Sequence, residues 1–139
     1  WMHNRIRMVV GSFLDKYLRF NWNDGEKHYR NCLLDFNKAN NVAQWQWVAG
    51  CGADAAPYFR IFNPILQGEK FDKEGKYVKK WVPELNKVPQ KFIHKPWEME
   101  MKYQQAINTI VGKDYPKPIV IHEEARASAL KAFQSLKKN

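Results

Sequence analysis

The sequence predicts an all-α protein, an irregular bundle of several helices joined by long ordered loops. Two observations favour this class. Apolar residues recur at the i, i+3, i+4 spacing of amphipathic helices, whereas the alternation typical of half-buried strands is almost absent. Seven prolines and seven glycines fall mainly between those segments, where they mark the beginnings and ends of helices. The 139 residues allow one domain at most.

The first helix is predicted over Met2–Arg19. Its apolar residues follow the helical spacing and are Ile6, Val9, Val10, Phe13, Leu14, Tyr17 and Leu18. No Ser, Thr, Asp or Asn precedes this segment, and its first turn carries no acidic residue. We therefore expect that the start of the helix lies upstream and that the chain is part of a longer protein.

The second helix is predicted to begin at an Asp24 cap and to run through Leu34. Its inward-facing residues are expected to be Tyr29, Leu33 and Leu34. A third, apolar helix is predicted over Ala39–Ala49, ending where Gly50 can adopt the left-handed conformation.

The second half of the chain holds shorter predicted elements. In order, they are a helix from Pro64, a short helix over Gly75–Trp81, a helix from Pro96 or Trp97 to about Val111, and a helix over His122–Leu136. Asp114–Val120 is expected to be extended because Pro116 and Pro118 exclude helix. The buried face of the last helix is predicted to carry Ala125, Ala129, Leu130, Phe133 and Leu136.

Composition excludes several classes of protein. The longest uncharged stretches contain Asn and Gln and are shorter than the roughly 20 apolar residues of a membrane span. Cys32 and Cys51 form no CxxC motif, and no His spacing suits zinc, so neither a disulfide scaffold nor a metal site is predicted. The start of the chain has no signal-peptide pattern. We expect a monomeric protein of the reducing cytoplasm with no membrane partner.

The formal charge of +9 is unevenly distributed, with 8 basic against 5 acidic residues over 1–63 and 15 against 9 over 64–139. Aromatic residues lie among the lysines of the second half, namely Tyr77, Trp81, Phe92, Trp97 and Tyr103. This combination favours a polyanion partner such as nucleic acid. A lysine-rich surface without such a partner is the alternative.

One stripe of the first helix joins residues of unusual type. At helical spacing it carries Trp1, Asn4, Arg5, Met8 and Ser12. These side chains suit a planar polar ligand such as a base or an isoalloxazine ring, although a half-buried helix surface has the same spacing. Arg7 lies on another face and needs a carboxylate partner if it is buried. Asp35 is one candidate among several.

Three tryptophans lie close together in the sequence. Trp45 and Trp47 are two positions apart on a helix and point to separate faces, so they cannot share one role. Trp22 can lie near Trp45 if the first three helices pack together. Core packing, base stacking and electron transfer all remain open for these indoles, and no catalytic triad is readable.

Five segments together carry a resemblance to a known family. They are WMHNRIRM (1–8), ANNVAQWQWVAG (39–50), GADAAPYFRIFNPILQGEKFD (52–72), IHKPWE (93–98) and DYPKPIV (114–120). In residues, order and spacing the chain resembles the DNA photolyase/cryptochrome family. It is most similar to the C-terminal half of the helical FAD-binding domain of a class I cyclobutane pyrimidine dimer photolyase, so residues 1–139 would form a partial FAD- and DNA-binding domain.

The resemblance implies that reduced FAD, excited by blue light, donates an electron to a pyrimidine dimer flipped out of single- or double-stranded DNA. The setting would be the bacterial cytoplasm. An antenna pigment of the folate or deazaflavin type would belong to an N-terminal domain upstream. The residues from 1 to 139 alone are expected to retain little FAD and to repair nothing. The alternatives are a cryptochrome photoreceptor and a non-catalytic helical module that binds nucleic acid.

The resemblance also implies roles for individual residues. The FAD site would contain Trp1, Asn4, Arg7, Asp35, Asn37 and Asn41. The lesion and its DNA would contact Asn4, Arg5, Met8, Trp47 and Arg60. Trp45 and Trp22 would form the first two members of an electron relay. Within these sets Arg7 would pair with Asp35, Asn41 would contact flavin N5 and favour the reduced forms, and Trp47 would stack on the dimer.

The sequence departs from the family pattern at one residue and in one short segment. Asn37 stands where many relatives have Asp, so an amide oxygen would have to accept the hydrogen bond from flavin N3–H. Val42-Ala43-Gln44 lacks the two glycines that relatives often have before Trp45. We expect this change to alter packing beside the flavin.

Overall fold

The computed structural model describes residues 2–54 and 60–136. The predicted all-α class is confirmed: the described residues form helices and loops, and the pairing of Val111 with Tyr115 is an isolated bridge outside any strand. The chain divides into two compact units. One contains the described residues up to Asn63 and those from Val120 onward, and the other contains Pro64–Ile119.

Seven α-helices are present in the described ranges: α1 (Asn4–Ser12), α2 (Trp22–Cys32), α3 (Lys38–Ala49), α4 (Pro64–Phe71), α5 (Lys76–Trp81), α6 (Met101–Ala106) and α7 (His122–Leu136). A π-helical turn, Phe13–Tyr17, continues α1. Three short 3₁₀ turns cover Pro83–Leu85, Gln90–Phe92 and Pro96–Glu98. No helix in this part of the chain is both long and apolar enough to cross a membrane.

The first helix begins differently from the prediction. His3 is its N-cap, and the His3 Nδ1 atom accepts a hydrogen bond from the Arg5 backbone N–H at 3.2 Å. The expectation of an uncapped start is therefore wrong, because an imidazole nitrogen satisfies one of the free donors at the helix end. The helical stretch ends before the predicted Arg19, whose φ of 58° is left-handed.

Caps also define α2 and α3. Asn21 caps α2 by accepting from Asn23 N at 3.0 Å, so the predicted Asp24 cap is wrong by one turn. Leu34 was predicted to face inward but is 92% exposed, because the helix has already ended at Cys32. The helix predicted over Ala39–Ala49 is confirmed within one residue, and Gly50 closes it with a φ of 83°.

The second unit has its own small core of Leu85, Val88, Ile93 and Met99. The predicted helix from Pro96 to about Val111 is wrong, since the backbone is extended at Met99 and only Met101–Ala106 is α-helical. Gln104 explains the break: its amide donates to Met99 O at 2.7 Å and accepts from Val111 N at 2.9 Å. These side-chain bonds replace the backbone bonds that a longer helix would make.

The last helix, α7, has the predicted bounds. It packs against the π-helical turn, where His122 Nδ1 lies 2.5 Å from Tyr17 Oη. Ala129 is buried as predicted, whereas Leu136 is 75% exposed and its predicted burial is wrong. The position of Leu136 in the last turn places it beyond the elements that cover the middle of the helix.

Candidate functional site

A cavity of about 360 Å³ lies in the first unit, between α1, α3 and the segment that joins α2 to α3. Its wall combines polar and apolar side chains: Asn4, Arg7, Met8, Gly11, Tyr29, Leu33, Asp35, Asn37, Asn40, Asn41, Gln44, Trp45 and Val48. Seven residues predicted for the site are among them, drawn from three separate parts of the sequence. The volume lies at the small end of the roughly 300–1,000 Å³ typical of ligand sites.

Arg7 and Asp35 form a charged pair on the cavity wall. The Arg7 Nη2 atom donates to both carboxylate oxygens of Asp35, at 2.9 and 2.8 Å. Arg7 Nε donates to Met2 O at 2.7 Å, which fixes the other edge of the guanidinium. Hydrogen bonding by Arg7 holds the pKa of Asp35 below its ordinary value. The predicted pairing of these two residues is confirmed, and the wall carries a fixed ion pair.

Asn41 is oriented by a buried carboxylate that the sequence reasoning missed. Its Nδ2 atom donates to Glu26 O at 3.0 Å and to Glu26 Oε1 at 3.1 Å. Arg30 pairs with the same carboxylate, with Nη2 at 2.7 Å from Oε2. Because both acceptors require the amide nitrogen, the orientation of Asn41 is determined and its Oδ1 atom is turned away from Glu26. The i, i+4 spacing of Glu26 and Arg30 was the available signal in the sequence.

Trp45 is 3% exposed and borders the cavity. Its ring meets Tyr29 edge-on, with centroids 5.1 Å apart. It also packs so closely on Gly25 of α2 that a Cβ atom there would overlap the indole. The Trp45 Nε1 atom is buried and has no hydrogen-bond partner in the described part of the chain. A buried donor without a partner is costly, so this nitrogen is a strained feature of the packing around Trp45.

The predicted stripe on the first helix is only partly present. Asn4 and Met8 line the cavity, and Asn4 Nδ2 lies 3.9 Å from Met8 Sδ. Ser12 is fully buried and accepts a hydrogen bond from Phe62 N, so its predicted place on a ligand-facing stripe is wrong. Arg5 does not line the cavity. Trp1 lies outside the described residues.

The other predicted residues lie away from the cavity. Trp47 is half-buried on α3, and Arg60 is exposed, with its guanidinium carbon 4.9 Å from the centre of the Phe62 ring. Trp22 is the first residue of α2, one turn before Gly25, which packs on Trp45. The structure therefore separates Trp47 from Trp45, in agreement with the distinct faces predicted for them.

Asn37 lines the cavity and also caps α3, because its Oδ1 atom accepts from Asn40 N at 3.0 Å. The same oxygen was predicted to accept from flavin N3–H, so that contact would have to share an atom with the helix cap. Asn40 and Gln44 were not predicted for the site. Their positions one turn apart, on the side of α3 that carries Asn41 and Trp45, could have indicated them.

This arrangement defines a class of site: a cavity between helices, with an ion pair, oriented amides and a buried indole, suited to a planar ligand that carries both donors and acceptors. The chain belongs to the DNA photolyase family, because residues 1–135 match the family model described as the FAD binding domain of DNA photolyase.

Curated relatives support this assignment. The chain is 56% identical over 137 residues to the deoxyribodipyrimidine photo-lyase of Agrobacterium fabrum. The match covers 99% of this chain and 29% of that protein. It is 49% identical over 138 residues to the Escherichia coli enzyme of the same name, covering 99% and 28%. The chain thus spans less than a third of the length of these relatives.

Solved structures have the same fold. A class III photolyase from Agrobacterium tumefaciens superposes with a TM-score of 0.94 at 55% identity, covering all of this chain and 29% of that one. A cryptochrome from Synechocystis superposes with a TM-score of 0.89 at 36% identity, covering 94% and 27%.

Proposed function

We propose that this chain forms part of a photolyase that repairs cyclobutane pyrimidine dimers in DNA by light-driven electron transfer from reduced FAD. The activity belongs to a protein of the length of the relatives, and residues 1–139 contribute a partial FAD- and DNA-binding helical domain. The observation that carries the proposal is the convergence of Arg7–Asp35, Asn41 and Trp45 on one cavity in a chain of the DNA photolyase family.

The residues present fit a flavin ring. The Arg7–Asp35 ion pair and the oriented Asn41 amide give a ring system both donors and acceptors. We assign the flavin contacts to Asn4, Arg7, Asp35, Asn37 and Asn41, and, outside the described residues, to Trp1. When bound and reduced, FAD supplies the light-excited electron that splits the cyclobutane ring.

The side chains of this chain would set the charge around that ring. The Arg7–Asp35 pair carries no net charge but places a cation and an anion at fixed positions. Asn41, held by Glu26, would offer Oδ1 as an acceptor to a protonated ring nitrogen. Because these groups are held in place before the ligand arrives, they would need little reorganisation during electron transfer.

Different aromatic residues would serve electron transfer and substrate binding. Trp45, buried against Tyr29, would pass electrons to the flavin during photoreduction, with Trp22 as the next relay member. Trp47 would stack on the dimer. Asn4, Arg5 and Met8 would face the lesion, and Arg60 would contact a DNA phosphate, in keeping with the excess of positive charge.

Five finer assignments complete the proposal. We retain class I, although the similar Agrobacterium tumefaciens structure is described as class III. An antenna pigment of the folate or deazaflavin type would be bound upstream of residue 1, and the chain is proposed to be the C-terminal half of the helical domain. The protein would act as a cytoplasmic monomer. Sequencing the gene upstream of Trp1 tests the class, the antenna domain and the position of the chain together.

A blue-light photoreceptor is the second candidate, favoured by the likeness to the Synechocystis cryptochrome. Such a protein would keep the flavin cavity and the indole relay without repairing dimers. Trp47 and Met8, both assigned to the lesion, favour repair over signalling.

The direct test for the chain itself is a gel-shift comparison of UV-irradiated and intact oligothymidylate. Repair predicts a preference for irradiated DNA that Trp47→Ala reduces. Trp97→Ala, at an exposed tryptophan with no proposed role, is the control. Equal, salt-sensitive affinity for both DNAs would instead support the non-catalytic nucleic-acid module.

A further inference from the structure

Three buried side chains of the first helical stretch hold the backbone of the segment around Arg60. Ser12 Oγ accepts from Phe62 N at 3.1 Å, and Tyr17 Oη donates to Phe62 O at 3.2 Å. Lys16 Nζ donates to Arg60 O at 2.5 Å. The three side chains are at most 7% exposed. We call Ser12, Lys16 and Tyr17 the backbone clamp.

The π-helical turn explains how one helix supplies all three groups. Hydrogen bonds in such a turn join residues five apart, and Leu18 N donates to Phe13 O at 3.0 Å in this way. Ser12, Lys16 and Tyr17, at positions i, i+4 and i+5, then lie on the same side of the helix. In an α-helix, Tyr17 would point away from the side that carries Ser12. Turns of this kind are frequent at functional sites.

Lys16 is an expensive residue to bury, and this cost indicates a role. Its neighbour Asp15 has both carboxylate oxygens buried with no hydrogen-bond partner in the described ranges. Burial lowers the pKa of Lys16 to about 8, with the charge of Asp15 opposing this effect. An apolar residue at position 16 would avoid that cost but could not bond to Arg60 O.

We propose that the backbone clamp positions Arg60 for a DNA phosphate, with Lys16 as a positioning residue for substrate binding. The inference rests on the phosphate contact proposed for Arg60. The exposed Arg60 side chain lies over the Phe62 ring, and the clamp holds both ends of the Phe62 backbone. The guanidinium is thereby presented from a fixed peptide, which lowers the entropy lost when it binds a phosphate.

The test is fluorescence anisotropy with dye-labelled, UV-irradiated oligothymidylate and the full 139-residue chain, across a series of salt concentrations. Arg60→Ala should weaken binding roughly ten-fold and lower the salt slope by about one unit. Ser12→Ala and Tyr17→Phe change no charge, yet should weaken binding several-fold by releasing the peptide. Lys16→Met should also weaken binding several-fold. In an Arg60→Ala background, each of these three changes should cause little further loss of affinity.

Two controls separate positioning from loss of charge or of fold. Lys27→Met removes one exposed positive charge from α2 and should weaken binding less than Lys16→Met. Hydrogen exchange at the Phe62 amide should accelerate in Ser12→Ala, which shows that the clamp has opened even if Lys16→Met fails to fold.

The outcomes are distinguishable. If Arg60→Ala weakens binding and the two neutral clamp variants do not, the clamp has no positioning role and the inference is overturned. If Arg60→Ala also has no effect, the phosphate contact in the proposed function is wrong, and the inference falls with it.

Discussion

At the residue scale, the cavity owes its chemistry to polar side chains that are held by carboxylate partners. Glu26 fixes the direction of the Asn41 amide, and Asp35 fixes the guanidinium of Arg7. A free asparagine or arginine could rotate to suit any ligand, whereas these two present one polar pattern. The selectivity of the site therefore depends on Glu26 as much as on the residues that line it.

The roles of the indoles can be separated by substitution in a chimera, defined as the Agrobacterium fabrum enzyme with this chain in place of its matching segment. Trp45→Phe should block photoreduction of bound flavin but leave repair by pre-reduced protein intact. Trp47→Ala should weaken dimer binding by roughly 1–3 kcal/mol if stacking dominates. Flavin absorbance under illumination and affinity for irradiated DNA measure the two effects. Equal effects of both substitutions in both assays would refute the division.

Asp15 predicts a pH effect on stability. Burial raises its pKa from 3.8 to about 7, with Lys16 opposing the rise. The folded state therefore binds the proton more tightly than the unfolded state, and this stabilisation, complete below about pH 4, is lost as the pH rises through about 7. Asp15→Asn keeps the site neutral at every pH. The melting temperature of this variant, measured relative to the parent, should therefore rise as the pH increases from about 4 to about 7. A constant difference would contradict the raised pKa.

At the element scale, α2 and α3 are held at a close distance by a glycine facing an indole. Gly25 lies against Trp45 with no room for a side chain, and Gly11 of α1 approaches Val48 of α3. Such contacts set how near α1 and α2 come to α3, and therefore the width of the cavity between them.

Gly25→Ala should destabilise the protein although alanine is normally the better helix residue. The helical preference favours alanine by about 0.5–1 kcal/mol, while overpacking against a buried ring costs about 1–3 kcal/mol. The net loss should appear as a lower urea midpoint. Gly11→Ala is the matched control, since its new Cβ would lie 3.2 Å from Val48 Cγ1 and should cost less. A higher midpoint for Gly25→Ala would show that α2 can move away from Trp45.

Periodicity and the glycine at the end of α3 predicted elements well where local signals decide the structure, whereas the predicted starts of α1 and α2 were wrong. The helix over His122–Leu136 and the end of α3 at Gly50 follow from spacing and backbone freedom alone. The break at Met99 does not, because the Gln104 amide bonds to the backbone of Met99 and Val111, and such side-chain bonds leave no mark in the apolar spacing.

The same limit applies to the site. Spacing placed Asn4 and Met8 on one face of the first helix but also put Ser12 there. The π-helical turn and the contact with Phe62 direct Ser12 inward instead. A partner 50 positions away in the sequence leaves no periodic signal.

At the scale of the whole molecule, the chain corresponds to only part of each relative. It spans less than a third of its curated relatives. The cavity of about 360 Å³ lies at the small end of the range typical of ligand sites. We expect the part of FAD beyond its ring to need contacts that this cavity does not supply.

The purified chain is therefore expected to retain little or no FAD. Equilibrium dialysis with FAD, followed by flavin absorbance of the protein fraction, measures this directly. Arg7→Ala, which removes the cavity ion pair, is the control for specific binding. Flavin retained by the parent chain in a one-to-one ratio would contradict the expectation.

The most direct test of the central claim is light-dependent repair by the chimera. With reduced FAD and irradiated oligothymidylate, blue light should restore the ultraviolet absorbance of intact thymine, and no recovery should occur in the dark. Asn41→Ala and Arg7→Ala should slow the recovery, while Lys27→Met should leave it unchanged. A chimera that binds FAD, photoreduces it and restores no thymine would contradict repair and favour the photoreceptor.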